Sequence, residues 1–311
     1  MKGKFSFLLF LLFTIVSAPI YSQQKVEILA RLDTVSNTFH VNQKISFRNR
    51  YANSINKLII NDWNHSYSNR KTYLGKRFSD QYVRNFHLST EKERGFTTIT
   101  KLTVNKFYGN WCRIDDHIDL IELTLSPIQP KDSITIAIDY ELKIPDAKFT
   151  RWGKDKSNFY LKDFFLALAK IKQSDSFIQY SNENIEDALL ENIEAISVQF
   201  QLPDYYKVTS NLNLVDKNTF KGNDINNIQF AVEKKLSFEN YKNDNIEVVT
   251  NLNDSRINDI QKAIIIDKVV NFTDGYFRKI KNRKNYGFSN RLRQKPILRI
   301  ESTSRFFKPF S

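Results

Sequence analysis

Four histidines, one cysteine and a short acidic cluster are the side chains with most chemistry to offer among these 311 residues. The histidines are His40, His65, His87 and His117. A helical zinc site needs two imidazoles one turn apart, with a glutamate between them to act as base. None of the four is followed by Glu and none lies one helical turn from another, so no metal site is assembled at recognisable spacing. Asp115 and Asp116 stand beside His117. Neighbours on a strand point to opposite faces, so this cluster reads as a solvated turn between Trp111 and Ile118. Cys112 reads as a half-buried structural thiol, and being alone it excludes an intrachain disulfide. No glycine-rich phosphate loop and no Ser-His-Asp order stands out. Asn64-His65-Ser66, Asn253-Asp254-Ser255 and Asn271-Phe272-Thr273 match the N-glycosylation pattern, which matters only in a host that glycosylates exported proteins. No catalytic, cofactor-binding or metal-ligating residue is therefore assigned.

The elements that would carry these side chains are mostly strands. Between residues 24 and 250 the apolar pattern has period two, which sends alternate side chains to opposite faces. Val26, Ile28 and Ala30 alternate with Glu27, Leu29 and Arg31; Ile45, Phe47 and Asn49 follow the turn Ser36-Asn37. Further strands are expected at 58–60, 97–104, 118–125, 133–140, 195–202, 207–214, 228–232 and 246–250. At this density the expected closure is an antiparallel sandwich or a strongly curved pair of sheets. Leu74, Phe78, Tyr82 and Phe86 recur every four residues and predict one early helix packed by its aromatic stripe. After Leu252 the period turns helical. Asp254 offers an N-cap, Ile257, Ile260, Ile264, Ile265, Val269, Phe272 and Tyr276 follow, and Gly275 offers a stop. Those residues cover more than one face, so the helix is expected to open a second domain that buries it.

The chain begins with Lys2 and Lys4, a largely apolar run over residues 5–16 and then Ser17, Ala18, Pro19 and Ser22. That is the layout of a secretory signal peptide over residues 1–22, and the run is too short to span a bilayer. The mature protein is expected to start at Gln23 or Gln24, outside the cytoplasm in a periplasmic or extracellular setting, with no transmembrane segment. The formal charge of +13 is uneven: residues 278–311 hold eleven basic side chains against Glu301. The rest of the mature chain is nearly neutral, so nucleic acid is not an expected partner.

The order of certain segments resembles a known family. Leu125-Ser126-Pro127-Ile128-Gln129-Pro130 precedes a strand and Asp139-Tyr140-Glu141-Leu142-Lys143-Ile144-Pro145; Ile196-Ser197-Val198-Gln199-Phe200-Gln201-Leu202-Pro203 precedes Tyr206-Lys207-Val208-Thr209-Ser210-Asn211. A strand ending in Pro followed by one ending in Ser-Asn is similar to the amino-terminal domain of the aminopeptidase N family of gluzincin zinc metallopeptidases. Asn61-Asp62-Trp63-Asn64, Lys76-Arg77-Phe78 and Glu93-Arg94-Gly95 resemble a bacterial branch of it. The resemblance covers roughly residues 24–276 and implies a mainly β fold. That fold is an antiparallel, saddle-shaped β-sandwich domain over residues 23–252 with one early helix, then the start of an incomplete α-helical catalytic domain at 253–277. It also implies, for an intact relative, zinc as cofactor and a peptide as substrate, gripped by its amino terminus. The zinc-binding HExxH and the substrate-clamping GxMEN are both missing, as are the Q-x-E context and the Asp-Glu-Pro segment, so the chain is expected to be inactive as given.

Residues 278–311 break the pattern. Read one base later, the codons available to residues 291–310 permit DYDKNPYYGLNQLPGFLNPF, which looks like the segment after the first catalytic-domain helices of that branch. The tail is therefore expected to be out of frame, the shift falling near residues 278–285. Two other classes remain at this point: a stand-alone exported β-sandwich that binds a protein or glycan without catalysis, and a surface-binding protein that uses the basic tail. The oligomeric state is not legible.

Overall fold

The computed structural model describes residues 24–149, 152–173, 176–177, 193–225, 227–236, 238–242, 247–250, 256–283 and 297–300. The leader-like residues 1–22, the Asp254 cap and most of the basic tail lie outside the described residues. Strands β1 (Gln24–Asp33), β2 (Thr38–Arg48) and β3 (Ile55–Asn61) lead to a 3-10 turn over Trp63–Tyr67 and two short helices, α1 (Tyr73–Asp80) and α2 (Arg84–His87). Next come β4 (Phe96–Val104), β5 (Phe107–Tyr108), β6 (Asn110–Ile114), β7 (His117–Ile128) and β8 (Ser133–Lys143). Short strands follow: β9 (Gly153–Asp155), β10 (Asn158–Lys162), β11 (Ala167–Leu168), β12 (Ile171–Gln173) and β13 (Ser176–Phe177). The last group is β14 (Ile193–Gln201), β15 (Lys207–Ser210), β16 (Asn213–Asp216), β17 (Thr219–Ile225), β18 (Gln229–Glu233), β19 (Glu239–Lys242) and β20 (Glu247–Thr250). Helix α3 (Asp259–Arg283) and β21 (Ile297–Ile300) close the described chain.

The period-two reading of β1 and β2 holds residue by residue. Val26, Ile28, Ala30 and Leu32 are buried while Lys25, Glu27 and Arg31 face solvent, and Phe39, Val41, Ile45 and Phe47 face the same core from β2. The hairpin between them closes through Asn37 at φ 56°, a left-handed position that Asn tolerates. These strands sit in an eight-stranded sheet of order β16-β17-β14-β1-β2-β8-β4-β5. Its pairs are antiparallel except one: β1 runs parallel to β14, placing Val26 opposite Ile196 and Ala30 opposite Phe200. Two four-stranded sheets, β15-β18-β10-β9 and β11-β3-β7-β6, supply further layers. Phe39, Phe159, Phe164, Phe200, Phe220 and Phe230 meet between them, mostly edge-on, with Phe164 stacked on Phe200 and the Phe200 and Phe230 ring centroids 4.9 Å apart. Each such pair contributes roughly 1 kcal/mol beyond its buried area. The chain is thus mainly β, with few helices.

Three local expectations are corrected. The early helix is two helices, because Tyr82 adopts φ 58° and ends α1. Its N–H donates to Ser79 O (3.0 Å) and that of Val83 to Phe78 O (2.8 Å), the paired bonds of a Schellman stop. Tyr82 is consequently 88% exposed, whereas Leu74, Phe78 and Phe86 form a small core with Tyr67 and Phe149. The strand expected over 207–214 is two strands in different sheets, β15 and β16, the chain changing sheet at Asn211 and Leu212. Gly275 does not stop α3, which continues to Arg283. One glycine costs a helix only about 1 kcal/mol, which neighbouring turns absorb. Beyond it, β21 pairs parallel with β20, bringing a stretch of the basic tail against residues 247–250.

Candidate functional site

The polar centre of the molecule lies where β3 ends. Asn61 finishes the strand, Asp62 caps the 3-10 turn, and Trp63 is buried beneath it. Asp62, 2% exposed, is the hub. Its Oδ2 accepts from the Arg113 guanidinium at 2.8 Å, and its Oδ1 accepts from the Thr97 hydroxyl at 2.7 Å and the His65 N–H at 3.3 Å. Arg113, on β6, also donates to Ile118 O (2.6 Å) and Thr97 O (3.1 Å). Thr97 N–H donates to His65 Nδ1 at 3.2 Å, and Ser66 Oγ donates to the neighbouring Asp119 carboxylate at 2.9 Å. Burial is the largest influence on His65 and lowers its pKa, with the Asp62 charge opposing it. That fits a neutral ring whose Nδ1 accepts.

The segments that carried the family resemblance converge here. Asn64, from the Asn61-Asp62-Trp63-Asn64 run, donates to Lys143 O at 3.0 Å at the end of β8. Asp146 N–H donates to Glu93 O (2.8 Å), tying Glu93-Arg94-Gly95 to the segment ending in Pro145. A Cβ on Gly95 would lie 2.6 Å from Pro145 Cδ and 2.9 Å from Lys143 O, so only glycine fits at this crossing. The Glu93 carboxyl is held at about 2, first by its bond from the Lys148 ammonium and then by Thr90.

Two further buried polar contacts escaped the sequence reading. Tyr140 OH donates to Gln43 Oε1 (2.7 Å), while Gln43 Nε2 donates to Leu166 O (2.6 Å) and Leu166 N–H returns to Oε1 (3.2 Å). Burial raises the Tyr140 pKa, so the hydroxyl keeps its proton. Asp163 accepts from Ile228 N–H at 2.8 Å, and burial pushes its carboxyl up to about 7. Arg113, Gln43 and Asp163 carry no local signal, since Asp62, Leu166 and Ile228, which they meet, lie from 51 to 123 residues away.

The residues weighed for chemistry are not brought together. His40 faces solvent on β2 beside Glu141 (3.7 Å), His87 Nε2 meets Gly75 O (2.9 Å), and the His117 ring stacks on Tyr73 at 4.4 Å. Asp115 and Asp116 form the expected turn, Asp116 at φ 63°. Cys112 corrects its expectation: it is exposed, because alternation on β6 turns Trp111 toward the core and Cys112 away. Among the described residues, no group of three or more His, Cys, Asp or Glu side chains is placed to hold a metal ion. The zinc implied by the resemblance therefore does not fit these side chains, and no step is routed through it. Among the described residues no helix is long and apolar enough to cross a membrane.

No protein-family model matches the chain, and no curated protein does. Among solved structures it is similar to native yeast LTA4 hydrolase, at 8% identity and a TM-score of 0.35, over 76% of this chain and 32% of that one. It is also similar to a second structure of native leukotriene A4 hydrolase, from Saccharomyces cerevisiae, at 9% identity and a TM-score of 0.36, over 76% and 34% of the two chains. The chain spans about a third of the length of these proteins. A likeness of that size assigns neither family nor activity.

Proposed function

We propose that residues 24–250 are the amino-terminal β-domain of an exported aminopeptidase-type zinc metallopeptidase, a domain that walls the substrate cleft and contributes no catalytic group of its own. The observation that carries this reading is where the resembling segments fall. Asn61-Asp62-Trp63-Asn64, Glu93-Arg94-Gly95 and the Pro145 segment lock to one another around Asp62 and Gly95, although 84 positions separate the first from the last. The Pro-then-Ser-Asn order likewise falls on consecutive strands: β14 stops just before Leu202 and Pro203, and β15 stops just before Asn211. Motifs that matched by chance would have no reason to share contacts and strand ends.

In this reading residues 1–22 direct export, α3 opens the catalytic domain, and zinc, base and peptide-binding loop belong to sequence outside this chain. In the buried network around Asp62 the Asp62 carboxylate is paired with the Arg113 guanidinium and Asp119 accepts from the Ser66 hydroxyl, which suits a rigid wall rather than a proton-transfer site. The test is to read the coding DNA through the codons for residues 277–311 and beyond. A frame shifted by one base that stays open and leads to HExxH is expected. A confirmed printed frame with unrelated sequence downstream would overturn the reading and leave a self-contained exported binding module.

A further inference from the structure

One end of the eight-stranded sheet gathers cations and uncovered aromatic rings. The register sets β14, β1, β2, β8, β4 and β5 side by side there: Gln24 opposite Ile193 and Phe47, Arg48 opposite Ser133, and Val104 opposite Ile136 and Phe107. At strand spacing this row is about 24 Å long. Lys25 and Arg50 both reach Glu194, at 3.2 and 3.3 Å, and Arg48 Nε donates to Lys131 O. These side chains line a groove of about 260 Å³ with Ser46, Phe47 and Ser133. Next to it the β4–β5 turn, held by Asn105 bonds to Thr135 (2.8 and 2.9 Å), presents Lys106, Phe107 and Tyr108. Phe107 and Tyr108 are 78% and 86% exposed. Among the described residues, five cations (Lys25, Arg48, Arg50, Lys106 and Lys131) stand with three carboxylates (Asp132, Glu194 and Asp224) at this end.

We propose that this end of the sheet docks on an anionic lipid surface. Phosphate headgroups enter the Lys25, Arg48 and Arg50 groove, where two serine hydroxyls can also donate, while Phe107 and Tyr108 lodge in the headgroup layer. Charge complementarity supports this occupant: the groove sets the Lys25, Arg48 and Arg50 cations against the single Glu194 carboxylate. The inference is independent of the peptidase reading, since it needs no catalytic domain.

The test is co-sedimentation of the full chain with vesicles of phosphatidylcholine alone or with about one-third phosphatidylglycerol, at roughly 0.1 M salt. The variants are Arg48→Gln with Lys106→Asn, chosen because Asn tolerates the φ of 73° at position 106, and Phe107→Ala with Tyr108→Ala. Val35→Ser, at the far tip of the β1–β2 hairpin, is the control. Binding to anionic vesicles is expected to weaken between about tenfold and roughly thirtyfold in the charge variant, the upper figure following from about 1 kcal/mol for each of the two cations near such a surface. It should also weaken severalfold in the aromatic variant, and stay unchanged in the control. Unchanged binding in both variants would overturn the proposal and assign adsorption to the basic tail. Release of the unaltered chain by inorganic phosphate at constant ionic strength would overturn it too, in favour of a site for free phosphate.

Discussion

Along β1, Val26 and Ile28 are 2% and 3% exposed, whereas along α3, Ile260 and Ile264 are 72% and 49% exposed. Both segments carry a run of aliphatic residues, and both have regular backbone hydrogen bonding. The difference is what stands opposite. Strand β1 lies between β2 and β14 with aromatic rings beneath it, so its apolar face is covered from both sides and below. In α3 only Ile266 is buried among the side chains described. Burial of an apolar side chain is worth about 2 kcal/mol when a partner covers it and nothing when water does. Among the described residues the strand body therefore holds the stability, and the helix keeps exposed apolar side chains.

The largest effect that would break this comparison comes from the aromatic layer. Phe230→Ala should cost about 4 kcal/mol in a urea titration, since Phe230 is fully buried against Phe164, Phe200 and Phe220. A loss below about 1 kcal/mol would mean that the layer is not the core. The next comes from Asp163. Its folded pKa of about 7 lies above the ordinary carboxyl value, so the folded state binds its proton more tightly than the unfolded chain does. The stability it contributes is complete below about pH 4 and disappears as pH rises through about 7, a change on the order of 4 kcal/mol. Asp163→Asn should flatten that slope in thermal melts between these limits. His65 works in the other direction, its lowered pKa giving stability that is lost as pH falls below its ordinary range.

Asp62→Ala should cost about 3 kcal/mol, because it leaves the Arg113 guanidinium half-buried without its carboxylate. Arg113→Ala with Asp62→Ala should cost less than the sum of the two, a coupling that a double-mutant cycle would read. Tyr82→Gly should stabilise by up to about 1 kcal/mol, since glycine accepts the φ of 58° without strain. The smallest folding effect is expected in α3: Ile260→Ser should change the unfolding free energy by less than about 0.5 kcal/mol and reduce self-association measured by light scattering. A large folding cost there would erase the contrast between the two regions.

What the sequence showed and what it hid divide along the same physical line. Alternation in β1, β2 and β8 is local and strong, since one face of each strand meets a continuous core; β1 is legible nearly to the residue, β2 only from Ile45 and β8 only to Tyr140. The short strands β5, β9, β11, β12 and β13 have two or three residues each, too few for a period to show. The parallel pairing of β1 with β14 joins positions about 170 apart, and no local pattern encodes it. The break at Tyr82 was hidden because a tyrosine occupies the left-handed position that usually advertises itself with glycine. In the polar centre, the Asn61-Asp62-Trp63-Asn64 run was visible, but its partner Arg113 was not: a single arginine on a short strand looks like any solvent-facing cation.

The most direct test of the account is a peptidase assay on the purified full chain supplied with zinc, using aminoacyl fluorogenic substrates. The account predicts no turnover above the buffer blank, with zinc or without it, because the β-body brings no catalytic group. Zinc-dependent turnover that a chelator abolishes and that co-purifies with the folded chain would contradict it.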